Sequence, residues 1–330
     1  VYPAVRALCA LADEVRGVLG PGVKLGYAAD WSEYFGHQPG DGSGDVMFHL
    51  DPLWAHPAID FIGIDNYMPL SDWQAGSGHA DAAHGSIYDL DYLKGNVAGG
   101  EGYDWYYADD EGRARQQRIA VADGAYGEDW TFRYKDIVGW WSNPHVNRVG
   151  GVKVGAPTSW VPRSKPIWFT ELGCPAVDKG TNQPNVFHDP KSSESFFPYF
   201  SDGSSDRFIQ IRYLQAMFAH WGDPDSNPPS DVYSGRMVDM DHAHVWAWDA
   251  RPWPDFPDQL DVWVDGLNFE LGHWINARAG LPSLAEIVAE VCARAGGGPV
   301  EVSALHGSAT GYMIGSVESA RQSLQPLMLT

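Results

Sequence analysis

Positive charge is scarce in this sequence of 330 residues. Lysine and arginine together number 22 against 43 aspartates and glutamates, which gives a formal net charge of −21 at pH 7. An acidic surface repels phosphate, so the sequence argues against nucleic acid and anionic membranes as direct partners. The sequence also lacks an apolar run long enough to span a bilayer. We therefore predict no nucleic-acid partner and no membrane span.

Cysteines are few, and the histidines in the first part of the chain lack a metal-binding spacing. Cys9, Cys174 and Cys292 are far apart and odd in number, so neither a disulfide framework nor a zinc site is predicted. The histidines at positions 37, 49, 56, 79 and 84 show neither HxH nor HExxH spacing. A metal hydrolase is therefore a weak alternative, and we predict no metal and no cofactor.

Aromatic residues, in contrast, are abundant. The chain has 15 tryptophans and 15 tyrosines, and hydrophobic residues make up 44% of it, enough for a sizeable core. Tyrosine and tryptophan rings bury well, and they also form flat stacking platforms in clefts. For any single ring the core remains the expected place.

One short apolar run carries a carboxylate at its end. In SKPIWFTELGCP, residues 167–170 predict a buried strand, and Glu171 follows directly before Gly173 and Pro175 break the strand. A buried parallel strand that ends in a carboxylate is the layout of a (β/α)8 barrel active site. An isolated glutamate here would more simply form an ion pair or a cap. Three further strand-like runs that end in polar or aromatic residues favour the functional interpretation.

Helices and strands are predicted to alternate along the chain. Besides the run before Glu171, strands are predicted at residues 23–29, 60–66 and 243–248, and the main helices at residues 2–19, 132–141, 207–221 and 267–277. Such alternation indicates parallel βα units. Four strands are half of the eight that a closed barrel needs, so the predicted fold class is α/β, the C-terminal part of a TIM barrel. The polar segment 178–206 is either a lid or contact surface near the site or a plain insertion.

A boundary is predicted near Pro282. An amphipathic helix at residues 283–294 and a glycine linker follow it, and then a hairpin at residues 307–316 and a helix at residues 319–327 are predicted. We therefore predict a barrel domain at residues 1–280 and the beginning of a second domain at residues 281–330.

Several long motifs resemble known families. DFIGIDNYMPLSDW, KPIWFTELGCP and VWAWDARPW resemble, in this order, the last three strands of a clan-A glycoside hydrolase barrel. KLGYAADWSEYFG, GSGDVMFHLDPLWA, GEGYDWYYA and NQPNVFHDPKSSES resemble the TIM-barrel-like domain of gene transfer agent tail proteins. The second resemblance covers roughly residues 2–278, and the chain beyond Pro282 resembles the start of the phage-tail domain that follows.

The resemblance implies a host-specificity protein at the tail tip of a phage-like particle. Its implied partners are a cell-envelope polysaccharide or peptidoglycan and other tail or baseplate proteins. Glu171 matches the clan's nucleophile, and Tyr67 matches an aromatic residue that orients the nucleophile. Trp248, together with Trp246, matches the aromatics below the sugar. The clan's acid/base glutamate follows the fourth strand and would precede Val1, so we expect the chain to be a fragment.

Other residues at predicted strand ends complete the expected substrate-binding set. Asp30 and Trp31 end the first strand, Asp65 and Asn66 end the second, and Asp249 follows the last. Each aspartate is a candidate second carboxylate, although binding a hydroxyl or pairing with an arginine such as Arg251 is favoured.

Two functions therefore remain open. The barrel is either a glycosidase that cleaves envelope glycan or an inactive scaffold and glycan-binding module, because a fold alone does not fix a function. A second strand-end carboxylate would discriminate between them. A half barrel would expose sheet edges, so we also expect this chain on its own to associate or aggregate.

Overall fold

The computed structural model describes residues 2–328. The strands are β1 Gly26–Asp30, β2 Phe61–Asn66, β3 Trp105–Tyr106, β4 Ile119–Ala120, β5 Arg148–Val149, β6 Val152–Lys153, β7 Ile167–Leu172 and β8 Val238–Ala243. The helices are α1 Pro3–Leu19, α2 Asp51–Trp54, α3 Leu90–Gly95, α4 Asp110–Ala114, α5 Ile137–Ser142, α6 Arg207–Trp221, α7 Asp255–Asp258, α8 Leu284–Arg294 and α9 Ala320–Leu324.

The centre of the fold is a parallel sheet in the order β1-β2-β7-β8. The pairs β1–β2, β2–β7 and β7–β8 are all parallel. The α/β class and the four parallel strands are thus as predicted, and the sheet is consistent with part of a barrel. β3–β4 and β5–β6 form two short antiparallel ribbons in the long excursion between β2 and β7.

One face of this sheet is covered by α6. Alternate residues of the two central strands, such as Ile64 and Phe169, are fully buried, as the period of two in a strand requires. The Phe169 ring meets the Trp221 ring of α6 edge-on at 5.9 Å between centroids. α6 begins at Asp206, whose Oδ1 accepts hydrogen bonds from two backbone N–H groups of the first turn, each at 3.0 Å. This cap and the apolar face explain why α6 has its predicted limits.

The opposite face carries a stack of three rings across β2, β7 and β8. The Trp168 ring lies parallel to Phe61 on one side and to His242 on the other, each at 3.7 Å between centroids. Gly63 lies on this face beside Ala28 of β1, and the backbone of β1 leaves no room for a side chain at position 63. The face therefore has no side chain at Gly63 and is aromatic from Phe61 to His242.

The prediction of a strand at residues 243–248 was wrong in its limits, since β8 ends at Ala243. Polar residues fill β8 (VDMDHA), which hid it in the sequence, and an edge strand tolerates them because only one of its sides is paired. The chain beyond β8 still bonds to β7: His244 N–H donates to Phe169 O at 2.8 Å and Trp246 N–H to Leu172 O at 2.9 Å.

The helix predicted at residues 267–277 is absent, and its place is taken by a 3-10 turn, Val264–Asn268, and a loop. The guanidinium of the buried Arg278 donates to the backbone carbonyls of Phe269, Gly272 and Trp274, so the loop carbonyls bond to a side chain instead of to helical N–H groups. The prediction at residues 132–141 was partly right, because a 3-10 turn, Asp129–Phe132, precedes α5.

The C-terminal segment contains the two predicted helices but not the predicted hairpin. α8 and α9 each begin with a capping box, formed by Ser283 with Glu286 and by Ser319 with Gln322. Residues 307–316 form no strand, and Ser308 makes a single bridge to Ser283. The division at residue 280 stays a prediction. Within residues 2–328, no helix has both the length and the apolar character needed to cross a bilayer.

Candidate active site

Three carboxylates lie in a row at the carboxyl ends of neighbouring strands. Asp30 of β1 is in register with Asp65 of β2, which is in register with Glu171 of β7. The register of β7 against β2 shifts by one residue immediately before Asp65. The charges of Asp65 and Asp30 both act on Glu171, so the three carboxylates share this edge of the sheet. Thr170 Oγ1 donates to Asp65 Oδ1 at 2.7 Å, and Ser32 N–H donates to Asp30 Oδ1 at 2.8 Å.

Tyr67 holds Glu171 directly. The Tyr67 hydroxyl donates to Glu171 Oε2 at 2.6 Å, across the ends of β2 and β7. Tyr67 is buried, and its ring meets the His273 ring edge-on at 5.7 Å between centroids. A short bond from a buried donor fixes the orientation of this carboxylate.

Opposing influences act on the pKa of Glu171. Burial raises it above the ordinary value, and the negative charges of Asp65 and Asp30 act in the same direction, whereas the Tyr67 hydrogen bond lowers it. The pKa of Tyr67 is raised by burial and by its bond to Glu171, so the tyrosine stays protonated and donates. Burial also raises the pKa of Asp65, against the hydrogen bond from Thr170.

Glu171 and Tyr67 open onto a cleft of about 520 Å³. Two loop segments and the chain after β8 complete its walls. The other residues that line it are Asn185, Phe187, His188, Asp189, Trp246, Ala247, Asp265, Asn268, Gly272, His273 and Trp274. The cleft therefore combines a carboxylate, hydrogen-bonding side chains and aromatic rings, which is the composition of a small-molecule or sugar site.

Trp246 lies in the cleft, but Trp248 does not. Trp246 is 49% exposed and lines the cleft next to Glu171 and Tyr67. Trp248 is 66% exposed and is not among the lining residues. Of the two predicted platforms, the structure thus brings only Trp246 together with the carboxylate, and Phe187 and Trp274 supply further rings.

Most of the chain matches one known protein family. The family described as the GTA TIM-barrel-like domain, in which GTA stands for gene transfer agent, matches residues 1–257. The chain belongs to this family. The matched part contains all four strands of the parallel sheet, Tyr67, Glu171 and Trp246, and it ends before His273 and Trp274. No curated protein sequence was found to match the chain.

In this GTA TIM-barrel-like domain, Asp249 does not line the cleft itself, but it bonds to a loop that forms part of the cleft wall. Its carboxylate accepts from the Arg251 guanidinium at 2.6 Å and from Trp274 Nε1 at 3.1 Å. Arg251 lowers the pKa of Asp249 and binds Asp265 as well, at 2.8 Å. The expected pairing with Arg251 is therefore present, and Asp249 is not next to Glu171.

Asn66 and Trp31 also lie outside the cleft. Asn66 is buried, its Oδ1 accepts from Met68 N–H at 3.3 Å, and its carbonyl accepts from the Tyr213 hydroxyl of α6. Trp31 packs edge-on against Tyr134 at 4.9 Å between centroids. Both side chains support the strand ends of the domain instead of facing Glu171.

The sequence indicated no individual site residue in 185–189 or 265–274, although it left open that segment 178–206 is a lid or contact surface near the site. The first stretch lies in the polar segment 178–206. The motif NQPNVFHDP within this segment is the sequence feature that could have identified it. His273 Nε2 bonds to Pro184 O at 2.8 Å and so joins the two stretches. Burial lowers the pKa of His273 to about 4, so this imidazole is neutral at pH 7.

An HxH pair, His242 and His244, also escaped the sequence analysis. The two rings lie 6.2 Å apart between centroids, and His242 Nδ1 bonds to Asp239 Oδ2 at 2.8 Å. In the part of the chain that the structure describes, no three His, Cys, Asp or Glu side chains are grouped so as to hold a metal ion.

Proposed function

We propose that this domain acts on cell-envelope glycan at the tail tip of a phage-like particle, as a retaining glycosidase with Glu171 as nucleophile. The single observation that carries the proposal is the 2.6 Å hydrogen bond from Tyr67 to Glu171 inside an aromatic-lined cleft. Membership of the GTA TIM-barrel-like family supports the phage-like setting. The resemblance to clan-A hydrolases supports the role of the carboxylate.

The chemistry requires an ionised, oriented carboxylate. In a retaining mechanism, Glu171 attacks the anomeric carbon, the glycosidic bond breaks, and a second carboxyl group about 5–5.5 Å away protonates the leaving oxygen. Water later releases the sugar from Glu171. Tyr67 donates to the ionised form of Glu171 and therefore both aims the nucleophile and opposes the effect of burial on its pKa.

Aromatic faces in the cleft suit a sugar. The apolar face of a pyranose ring stacks on a flat aromatic and displaces water from it. Trp246, Phe187 and Trp274 offer such faces within the same cleft as Glu171. Asn185 and Asn268 add amide groups that can bond to hydroxyls.

The substitution Glu171→Gln, made in a form of the protein that also carries the proton-donating carboxyl group, tests the proposal. It keeps the shape of the side chain and removes the nucleophile, so it should lower release of reducing sugar from host-envelope fractions by at least about a thousandfold. Glycan binding should remain, and Glu194→Gln, an exposed carboxylate outside the cleft, should behave like the wild type. Equal activity of Glu171→Gln and wild type would show that another residue is the nucleophile.

A binding module without catalysis is the second candidate. It is favoured by the direction of the pKa shift of Glu171, which burial and the neighbouring Asp65 raise, whereas attack requires the ionised form. The same experiment separates the two functions. A wild-type protein that carries the proton donor and binds envelope glycan, but releases no reducing sugar, is a receptor-binding module.

A further inference from the structure

Within residues 2–328, the cleft around Glu171 is lined by two carboxylates that form no ion pair. Among the described residues, Glu171 and Asp189 line the cleft and neither takes part in an ion pair. Asp189 Oδ1 accepts from the backbone N–H of Lys191 at 3.0 Å, so this lysine contributes its amide and not its ammonium group. Asp65 and Asp30 add two further carboxylates at the same strand ends.

Arginines that contact lining residues do not themselves line the cleft. Arg278 is buried and donates to the backbone carbonyls of Gly272 and Trp274. No lysine or arginine is among the described residues that line the cleft.

Arg251, which contacts the lining residue Asp265, is shared between the carboxylates of Asp265 and Asp249. His273 is neutral because burial lowers its pKa to about 4. No described lysine or arginine side chain therefore faces the two unpaired carboxylates from within the cleft.

We propose, as an extension that rests on the proposed function, that the cleft selects glycan segments by charge. Segments with free amino sugars bind best, neutral N-acetylated segments bind less well, and segments with carboxylate or sulfate substituents are rejected. An ammonium group on the sugar is attracted by the carboxylates of Glu171 and Asp189. An anionic substituent loses its hydration in the cleft and meets no positively charged side chain among its described residues. The net charge of −21 also attracts cationic glycans and repels anionic ones before they reach the cleft.

A binding comparison with three probes tests this inference. Short oligosaccharides of equal length from chitosan, chitin and polygalacturonate are cationic, neutral and anionic, and their affinities for the full chain can be measured by titration calorimetry. We expect the order chitosan, chitin, oligogalacturonate. The differences should narrow when the salt is raised from about 0.01 M to about 1 M, because the Debye length falls from about 30 Å to about 3 Å.

Asp189→Asn locates the effect in the cleft. The asparagine keeps the acceptor for the Lys191 N–H but removes the charge, so it should lower the ratio of chitosan to chitin affinity by about fivefold. Glu194→Gln removes a charge from the same polar segment outside the cleft and is the matched control. Circular dichroism and thermal melting establish that both variants are folded.

Each result either supports or overturns charge selection in the cleft. The predicted order, together with a change in ratio for Asp189→Asn but not for Glu194→Gln, supports charge selection in the cleft. Oligogalacturonate binding as tightly as chitosan, or equal effects of the two substitutions, would overturn it while leaving glycan binding intact. Binding of none of the three probes would overturn this inference alone, because the proposed function is decided separately by binding to, and sugar release from, host-envelope fractions.

Discussion

The protonation state of Glu171 depends on neighbours that act in opposite directions. Burial and the charges of Asp65 and Asp30 raise its pKa, and the hydroxyl of Tyr67 lowers it. Only the ionised carboxylate attacks, so the balance sets the lower pH limit of any glycosidase activity. Substitution of Tyr67 or of Asp65 should therefore shift this pH limit, in opposite directions.

Tyr67→Phe should raise the pKa of Glu171, since it removes the donor that stabilises the ionised form. Asp65→Asn should lower it, because a neutral amide replaces a like charge. The acidic limb of the pH–activity profile should therefore move to higher pH in the first variant and to lower pH in the second. Carbon-detected NMR titration of the glutamate carboxyls measures the same two shifts without requiring turnover.

Tyr233→Phe is the matched control for this pair. The Tyr233 hydroxyl donates to the carbonyl of Arg236, outside the cleft, so its loss should leave the titration of Glu171 unchanged. Shifts of the same sign in Tyr67→Phe and Asp65→Asn would show that the account of this carboxylate is wrong.

Some residues of the candidate site could be predicted from the sequence, and others could not. The position of Glu171 and Tyr67 at a common end of the sheet was predicted from the alternation of strands and helices. Their pairing was predicted from the resemblance to clan-A hydrolases. The structure places them in hydrogen-bond contact. His273 and Trp274 were missed because they belong to a loop whose shape depends on the buried Arg278, a contact that no local pattern encodes.

At the scale of elements, the sheet depends on glycine at position 63. A Cβ atom there would lie 2.6 Å from Tyr27 O and 3.0 Å from Ala28 Cα, both in the backbone of β1. Backbone paired in a sheet cannot move aside cheaply, so Gly63→Ala should lower the free energy of unfolding by about 1–3 kcal/mol. Urea denaturation followed by circular dichroism measures this.

Gly95→Ala is the comparison for that substitution. Gly95 has helical backbone angles near the end of α3, and a Cβ there would meet nothing within 4 Å. Alanine should therefore leave the stability unchanged or increase it by up to about 1 kcal/mol. If Gly63→Ala is no more destabilising than Gly95→Ala, the close approach of β1 and β2 is not a constraint.

The elements that the sequence predicted well have strong local signals. α1 and α6 have apolar residues at helical spacing, and Asp206 caps the first turn of α6. β8 was misplaced because its polar residues resemble a loop, and its strand conformation comes from pairing with β7. The failed helix at residues 267–277 has the same origin, since tertiary contacts override local preference there.

At the scale of the whole molecule, the parallel sheet is open at both sides. Within residues 2–328, β1 pairs only with β2, and β8 only with β7. Unpaired strand edges next to the stacked rings of Phe61, Trp168 and His242 can pair with another chain. The net charge of −21 opposes such contacts, and salt screens it.

We therefore expect the chain to associate, and to associate more strongly at high salt. Sedimentation velocity at about 0.05 M and about 1 M salt measures the distribution of species at both conditions. A monomer at both salt concentrations, with a sharp cooperative melt, would show that the open edges and the ring stack are adequately protected.

The central claim is that Glu171 is a glycosidase-type nucleophile, and covalent trapping tests it most directly. A 2-deoxy-2-fluoro glycoside with a dinitrophenyl leaving group needs no proton donor, so it reports on the nucleophile alone. Incubation with a panel of such sugars, followed by peptide mass spectrometry, should place the adduct on Glu171 and leave Glu171→Gln unmodified. An adduct on Asp65 or Asp189, or no adduct under conditions that label a known retaining glycosidase, would contradict the claim.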